Sequence, residues 1–258
     1  MAMLTWDGTG DRLYETGVDR GVYYAMNDDG TYGDAVAWNG LTGVTESPDG
    51  ADANDIYADN IKYLSLISKE NWKGTIKAYT YPVEFNACMG QADIPDAFAY
   101  FGQQSRTKFG FSWRSLVGND VKGDKYSYKL HIAYGLSAAP TEMDHATEND
   151  SPEAQEFSWE ISSIPPTSGI KIYVNGGKQA ANEKLLAAVA HITIYKTVGT
   201  GNNSALVTAI EEKLYGTDDS EPGEGDGTTG TLPSLEDFIS FLKSWNASTG
   251  TGTWPVHA

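Results

Sequence analysis

This chain has little of what enzymes, nucleic-acid binders and membrane proteins depend on. It has one cysteine, Cys88, so no intrachain disulfide can form. Basic residues are scarce: 18 Lys and Arg stand against 35 Asp and Glu, for a formal net charge of −17. Nucleic-acid binding needs phosphates neutralised by clustered Lys and Arg. No such cluster exists, which excludes tight nucleic-acid binding. No apolar run approaches the roughly 18–20 residues of a membrane span. The opening MAMLTWDGTG has neither the basic nor the apolar region of a signal peptide. A soluble chain made in a cytosol is expected.

Chemical motifs are missing as well. The four histidines, at 131, 145, 191 and 257, show no metal-ligand spacing. His131 and His191 fall on polar or mixed strand faces and read as solvated side chains. Asp52, Asn54, Asp55 and Asp59 miss the alternate-position spacing of a calcium loop. Glu142, Asp144, Glu148, Asp150, Glu153 and Glu156 could supply a glycosidase carboxylate pair, but 35 acids generate such clusters by chance. Cys88 has no basic partner nearby in sequence and reads as a small apolar residue. The expectation is a protein with no cofactor, no metal and no catalytic residue.

Aromatics and glycine are abundant: 15 Tyr, 7 Trp and 28 Gly, with 40% of residues hydrophobic. That bias favours strands and turns. Strict period-2 alternation marks the clearest strands and points to sheets with one buried face. In Lys108 to Leu116, Phe109, Phe111 and Trp113 share a face. In Tyr126 to Leu136 the apolar face is Tyr126, Tyr128, Leu130, Ile132, Tyr134 and Leu136, opposite Ser127, Lys129, His131, Ala133 and Gly135. Glu156 to Ile161 repeats the pattern. Ala188 to Thr197 suits a central strand, and Thr75 to Tyr81 and Gly21 to Met26 are weaker strands. Seven to nine strands in an antiparallel β-sandwich or barrel are expected.

Helices are few. Pro82 to Met89 reads as a short one with Pro at its first position. Ser204 to Tyr215 carries Leu206, Val207, Ile210 and Leu214 on one face, with Asn203 or Ser204 to cap it and Gly216 to end it. Thr217 to Thr231 is Gly-rich and acidic, a self-repelling linker. After it, Ser234-Leu-Glu-Asp237 resembles a capping box, and Leu235, Phe238, Ile239 and Leu242 follow at helical spacing. The domain layout expected is an N-terminal arm (1–20), a β domain (21–216), a linker (217–233) and a helical tail (234–258).

Residues 38–67 read as a long hairpin arm turning at Ser47-Pro48-Asp49-Gly50, a strong turn signal. Neither flank alternates cleanly, and a lone hairpin is marginal in water. The arm therefore needs something to lie on, and another copy of the chain is the natural candidate. Trp38, Asn39, Gly40, Leu41 and Thr42, with Tyr57, Asp59, Asn60 and Tyr63, are its expected contact residues. Leu235, Phe238, Ile239 and Leu242 of the terminal helix are expected to add to the same assembly.

An ordered series of motifs carries a resemblance. It includes Trp38-Asn-Gly-Leu-Thr42, Asp55-Ile-Tyr-Ala-Asp-Asn-Ile-Lys-Tyr63, Tyr81-Pro-Val-Glu-Phe85, Gln104-Ser-Arg106, Phe109-Gly-Phe-Ser-Trp-Arg114 and Gly118-Asn-Asp120. It continues through Tyr128-Lys-Leu-His131, Ser151-Pro-Glu-Ala154, Phe157-Ser-Trp159, Leu214-Tyr-Gly216 and Leu232-Pro233. Across roughly 20–242 the chain resembles the major tail (tail tube) proteins of long-tailed phages that infect Gram-positive bacteria. The resemblance implies a β-sandwich or barrel with a flanking helix, whose subunits form hexameric rings that stack into a hollow tube. It implies a structural virion protein, made in the host bacterial cytoplasm, with no enzymatic activity. DNA would pass through the lumen without specific binding. Initiator, terminator, tape measure and chaperone proteins would be its other partners, with no membrane among them. A capsid decoration or pilus-like subunit, or a carbohydrate-binding β-sandwich, are the alternative readings.

Overall fold

In a computed structural model, described residues are 6, 8–50, 52–67, 70–94, 99–139, 142–143, 147, 154–164, 170–173, 183–186, 190–198, 203–217 and 229–256. The chain is mainly β, with 52% of residues in strands and 14% helical. Eight strands build the main antiparallel sheet: β1 (Leu13–Met26), β2 (Tyr32–Trp38), β3 (Leu41–Glu46), β4 (Lys73–Ala78), β5 (Phe109–Asn119), β6 (Gly123–Ala138), β7 (Phe157–Ser163) and β8 (His191–Tyr195). Their order is β2-β1-β5-β6-β7-β4-β3, with β8 pairing β6 as a branch. The two edge strands β2 and β3 are consecutive in sequence across the turn Asn39-Gly40, where Gly40 has φ +74°. The sheet must therefore curl until its edges approach, as a barrel-like sandwich does.

The long strand β6 makes the branch. Gly135 takes φ +60°, and the register with β5 slips between Ala133 and Leu136. A Cβ at Gly135 would sit 2.6 Å from the Ile164 carbonyl oxygen, so only glycine fits the kink. Before the kink β6 pairs with β8 over Lys129–Ala133; after it, β6 pairs with β7 over Leu136–Ala138. The kink also moves side chains between faces. Leu130, Ile132 and Tyr134 lie on one side of the sheet, and Leu136 lies on the other.

Both faces are buried, which corrects the expectation of one. Inside the curl, Tyr23, Trp38, Phe109, Phe111, Trp113, Ile76 and Trp159 pack with Phe85 from a 3-10 turn at Val83–Ala87. That turn replaces the expected α-helix from Pro82. On the outer face, Tyr24, Leu130, Ile132 and Tyr134 meet Ile210 and Leu214 of α1 (Ser204–Tyr215) and Leu235, Phe238, Ile239 and Phe241 of α2 (Leu235–Ser244). Small residues on β5 admit this second layer. Gly110 leaves room for Leu232, and Ser112 hydrogen-bonds the Tyr24 hydroxyl at 3.2 Å.

Helix ends follow the expected chemistry in part. Ser234 caps α2 by accepting from the Asp237 amide at 3.1 Å. Asn203 stands at the α1 N-cap without capping it. Its side chain instead accepts from Thr197 N at 2.8 Å and donates to Tyr195 O at 2.9 Å, fastening the helix start to the end of β8. The expected linker lies mostly outside the described residues, but its end is tied down: Gly230 O accepts from Ala35 N, and Thr231 N donates to Lys213 O. The expected N-terminal arm is shortened too, because β1 begins at Leu13, opposite Asn119.

Candidate functional site

The arm differs from its sequence-based form. β3 pairs with β4, with Glu46 opposite Gly74. The two chain segments then leave the sheet together. Asp49–Gly50 pairs with Glu70–Asn71, and Ala53–Ala58 pairs with Ile61–Ile67 in a separate two-stranded sheet. The reversal is at Asp59-Asn60, not at Ser47-Pro48-Asp49-Gly50. Both residues have positive φ, +52° and +62°, the conformation of a type I′ hairpin turn, and Asp and Asn adopt it at lower cost than other non-glycine residues. Pro48 lies where the ladder breaks between the sheet and the ribbon, a position that a residue without N–H tolerates.

The hairpin displays its apolar side chains to solvent. Ile56, Tyr57, Ile61, Tyr63, Leu64, Leu66 and Ile67 are all exposed, with Tyr57 at 68%, Tyr63 at 67% and Ile67 at 72%. Ile56 pairs with Leu64 and Asn54 with Leu66, so Ile56, Leu64 and Leu66 share one face. Asp55 holds the hairpin's other side through Lys62 at 2.7 Å and Ser65 at 2.7 Å, and these contacts lower its carboxyl pKa.

The other expected contact residues are placed differently. Trp38 is a core residue, 2% exposed, with Nε1 donating to Thr80 O at 2.9 Å. Its ring meets Phe85, Phe111 and Trp159. Asn39 and Gly40 form the β2–β3 turn, and Leu41 is half-buried against the core. Thr42 donates to Glu156 at 2.6 Å. Leu235, Phe238 and Ile239 are buried on their own sheet, and of that set Leu242 is exposed. As contact residues for another copy, Trp38, Leu235, Phe238 and Ile239 are thus corrected: each already has an intrachain partner. Asp59, Asn60, Tyr57 and Tyr63 remain at the exposed tip.

No family model and no curated protein matches the chain.

Sequence reasoning missed a second cluster. His131 on β6 and His191 on β8 are paired neighbours: His131 stands opposite Thr193, and His191 opposite Ala133. Their rings are parallel to within 6°, with centroids 5.4 Å apart, while His131 Nδ1 and His191 Nε2 are only 3.3 Å apart. Those distances place the imidazoles edge to edge in nearly one plane. Trp113 runs parallel to both, at 4.9 and 5.4 Å, and Trp72 lies against His191 at 5.3 Å. Glu46, the last residue of β3, reaches both: Oε1 is 3.4 Å from His131 Nδ1, and Oε2 is 3.5 Å from His191 Nδ1. Ser115 Oγ is 3.0 Å from His131 Nε2.

The cluster contradicts the reading of these histidines as solvated. Burial first, then His191 and Lys129, push the His131 pKa down to about 4, so it is neutral at physiological pH. Burial also lowers His191, while Glu46 opposes that shift. His131 sits on the strand face that reads as polar, and its neighbour His191 is far away in sequence. The only hint was that His131 and Ala133 share a face, which Trp113 then covers from β5.

Cys88 is buried and free. Its Sγ lies 3.3 Å from Tyr23 Oη and 3.4 Å from Thr107 Oγ1, and burial raises its pKa. It is an inert core residue. The acidic stretch 142–156 lies largely outside the described residues. Glu156 serves Thr42 and pairs with Lys77 at 3.7 Å.

Proposed function

We propose that this protein is a structural subunit that assembles with copies of itself, as a tail tube protein of a long-tailed phage. The observation that carries this reading is the projecting hairpin. It displays seven large apolar side chains and, among the described residues, pairs only with itself. These side chains are divided between the two faces of the ribbon, Ile56, Leu64 and Leu66 on one and Ile61, Tyr63 and Ile67 on the other, and a lone hairpin gains stability by packing on another surface. The edge of β3, which pairs only with β4 among the described residues, supplies a second joint, because an unpaired strand edge templates further pairing.

In this reading six subunits close a ring edge to edge, and the hairpin reaches the neighbouring ring. Head-to-tail stacking is heterologous and open-ended, which yields a tube whose length is set by other proteins. The net charge of −17 per chain keeps DNA from adhering as it passes. The motif series from Trp38 to Pro233 favours this reading over a capsid decoration protein.

Electron microscopy of the concentrated protein tests it directly. Hollow rings or tubes of uniform diameter are expected. A triple variant, Tyr57→Ser, Tyr63→Ser and Ile67→Ser, should stay monomeric with unchanged thermal stability. A wild-type chain that stays monomeric at all concentrations and binds glycans would refute the proposal.

A further inference from the structure

We propose that Glu46, His131 and His191 form a binding site for one divalent transition-metal ion of the zinc class. They are the one group of three or more His, Cys, Asp or Glu among the described residues whose donor atoms converge, all within 4.8 Å of one another. The spacings from His131 Nδ1 to the other two donors suit the ion. Donors around a tetrahedral zinc at about 2.0–2.1 Å stand about 3.3–3.4 Å apart. His131 Nδ1 is 3.3 Å from His191 Nε2 and 3.4 Å from Glu46 Oε1. Two imidazoles and a carboxylate are a donor set that zinc and its neighbours in the first transition row accept, with water completing the shell.

Two further features prepare these donors. Ser115 Oγ, 3.0 Å from His131 Nε2, is placed to accept an N–H there, and in that tautomer Nδ1 keeps its lone pair toward His191 and Glu46. Trp113 and Trp72 press on the rings and fix their planes. The nearly coplanar, edge-to-edge imidazoles face each other through His131 Nδ1 and His191 Nε2, and a tilt of the rings within that plane would bring both lone pairs onto one ion. Without the ion, His131 Nδ1 faces both His191 Nε2 and the Thr193 hydroxyl, each at 3.3 Å.

The ion would act as a staple. Glu46 ends the edge strand β3, where the chain leaves for the hairpin, whereas both histidines lie on the β6–β8 pair. Binding there ties the root of the arm across the interior to the far wall of the sheet. The site does not depend on assembly and is tested on dispersed, untagged full-length chain after chelation and dialysis.

The test titrates cobalt(II) and zinc at neutral pH, following visible absorption and thermal unfolding. One cobalt per chain is expected, with the intense bands of tetrahedral coordination, displaced by zinc. Zinc should raise the unfolding temperature, and chelator should reverse the rise. Glu46→Gln, at a partly exposed position, should lose the bands and the zinc-dependent shift while keeping the fold, and His191→Gln should do the same. Ser115→Ala, which removes only a positioning contact, should weaken binding by about 10–100-fold. Absence of the cobalt bands in the wild type would overturn the proposal. So would equal binding in Glu46→Gln, since the ions would then sit on the acidic surface.

Discussion

Single side chains decide what this sheet can hold. Trp38 sits at the centre of an aromatic group rather than on the surface. Trp38→Ala is expected to destabilise the fold by about 3–5 kcal/mol, the range for removing a large buried aromatic, measured by chemical denaturation. Buried tyrosines set a second limit. Burial raises Tyr24 well above its ordinary value, with Tyr215 adding to the shift, and it raises Tyr134 in the same direction. A folded-state pKa above the unfolded value means that the folded chain holds more protons in alkali. Stability is then fully present below about pH 10 and falls as pH rises past it, by up to about 1.4 kcal/mol per pH unit for each phenol. Phenolate absorbance should therefore appear together with loss of circular dichroism. Separate, earlier ionisation of every tyrosine would contradict the burial. The histidine cluster shows where reading from sequence stops. His131 and His191 acquire meaning only when β8 is laid against β6, and local pattern does not encode that pairing.

Elements with strong internal periodicity were legible, and elements defined by long-range pairing were not. β5, β6 and β7 repeat an apolar side chain at every second position, so their existence follows from the chain alone. The arm shows the converse. Ser47-Pro48-Asp49-Gly50 has the better turn chemistry, yet the chain reverses at Asp59-Asn60, because β3 must first finish pairing with β4 opposite Gly74. The terminal helix was legible in its cap and stripe but not in its destination. Leu235, Phe238 and Ile239 pack on their own sheet, and each such burial contributes roughly 1.5–3 kcal/mol. The hairpin contributes little to that core. Replacing 53–67 with a short Gly-Ser link should change the unfolding temperature by only a few degrees while abolishing self-association in sedimentation. A collapse of the fold in that variant would show that the hairpin is structural.

For the whole molecule, charge and exposed apolar surface act in opposition. Each chain carries a net charge of −17, so copies repel before their apolar hairpins can meet. Screening shortens that repulsion, from a Debye length of about 10 Å at 0.1 M salt to about 3 Å at 1 M. Association should therefore strengthen with ionic strength, as light scattering across a salt series would report. Weaker association in high salt would mean that ion pairs, not apolar side chains, make the joint. The balance between repulsion and burial sets the concentration at which assembly begins.

The sole thiol has a practical consequence. Cys88 lies in the core, 0% exposed, against Tyr23 and Thr107. A thiol reagent can reach it only when the core opens, so its modification rate is a clock for that event in the unaltered protein. It also leaves the surface chemically silent. A cysteine introduced at Asp59 would take a fluorophore alone in the native state, and energy transfer between labelled hairpin tips would follow copies as they meet.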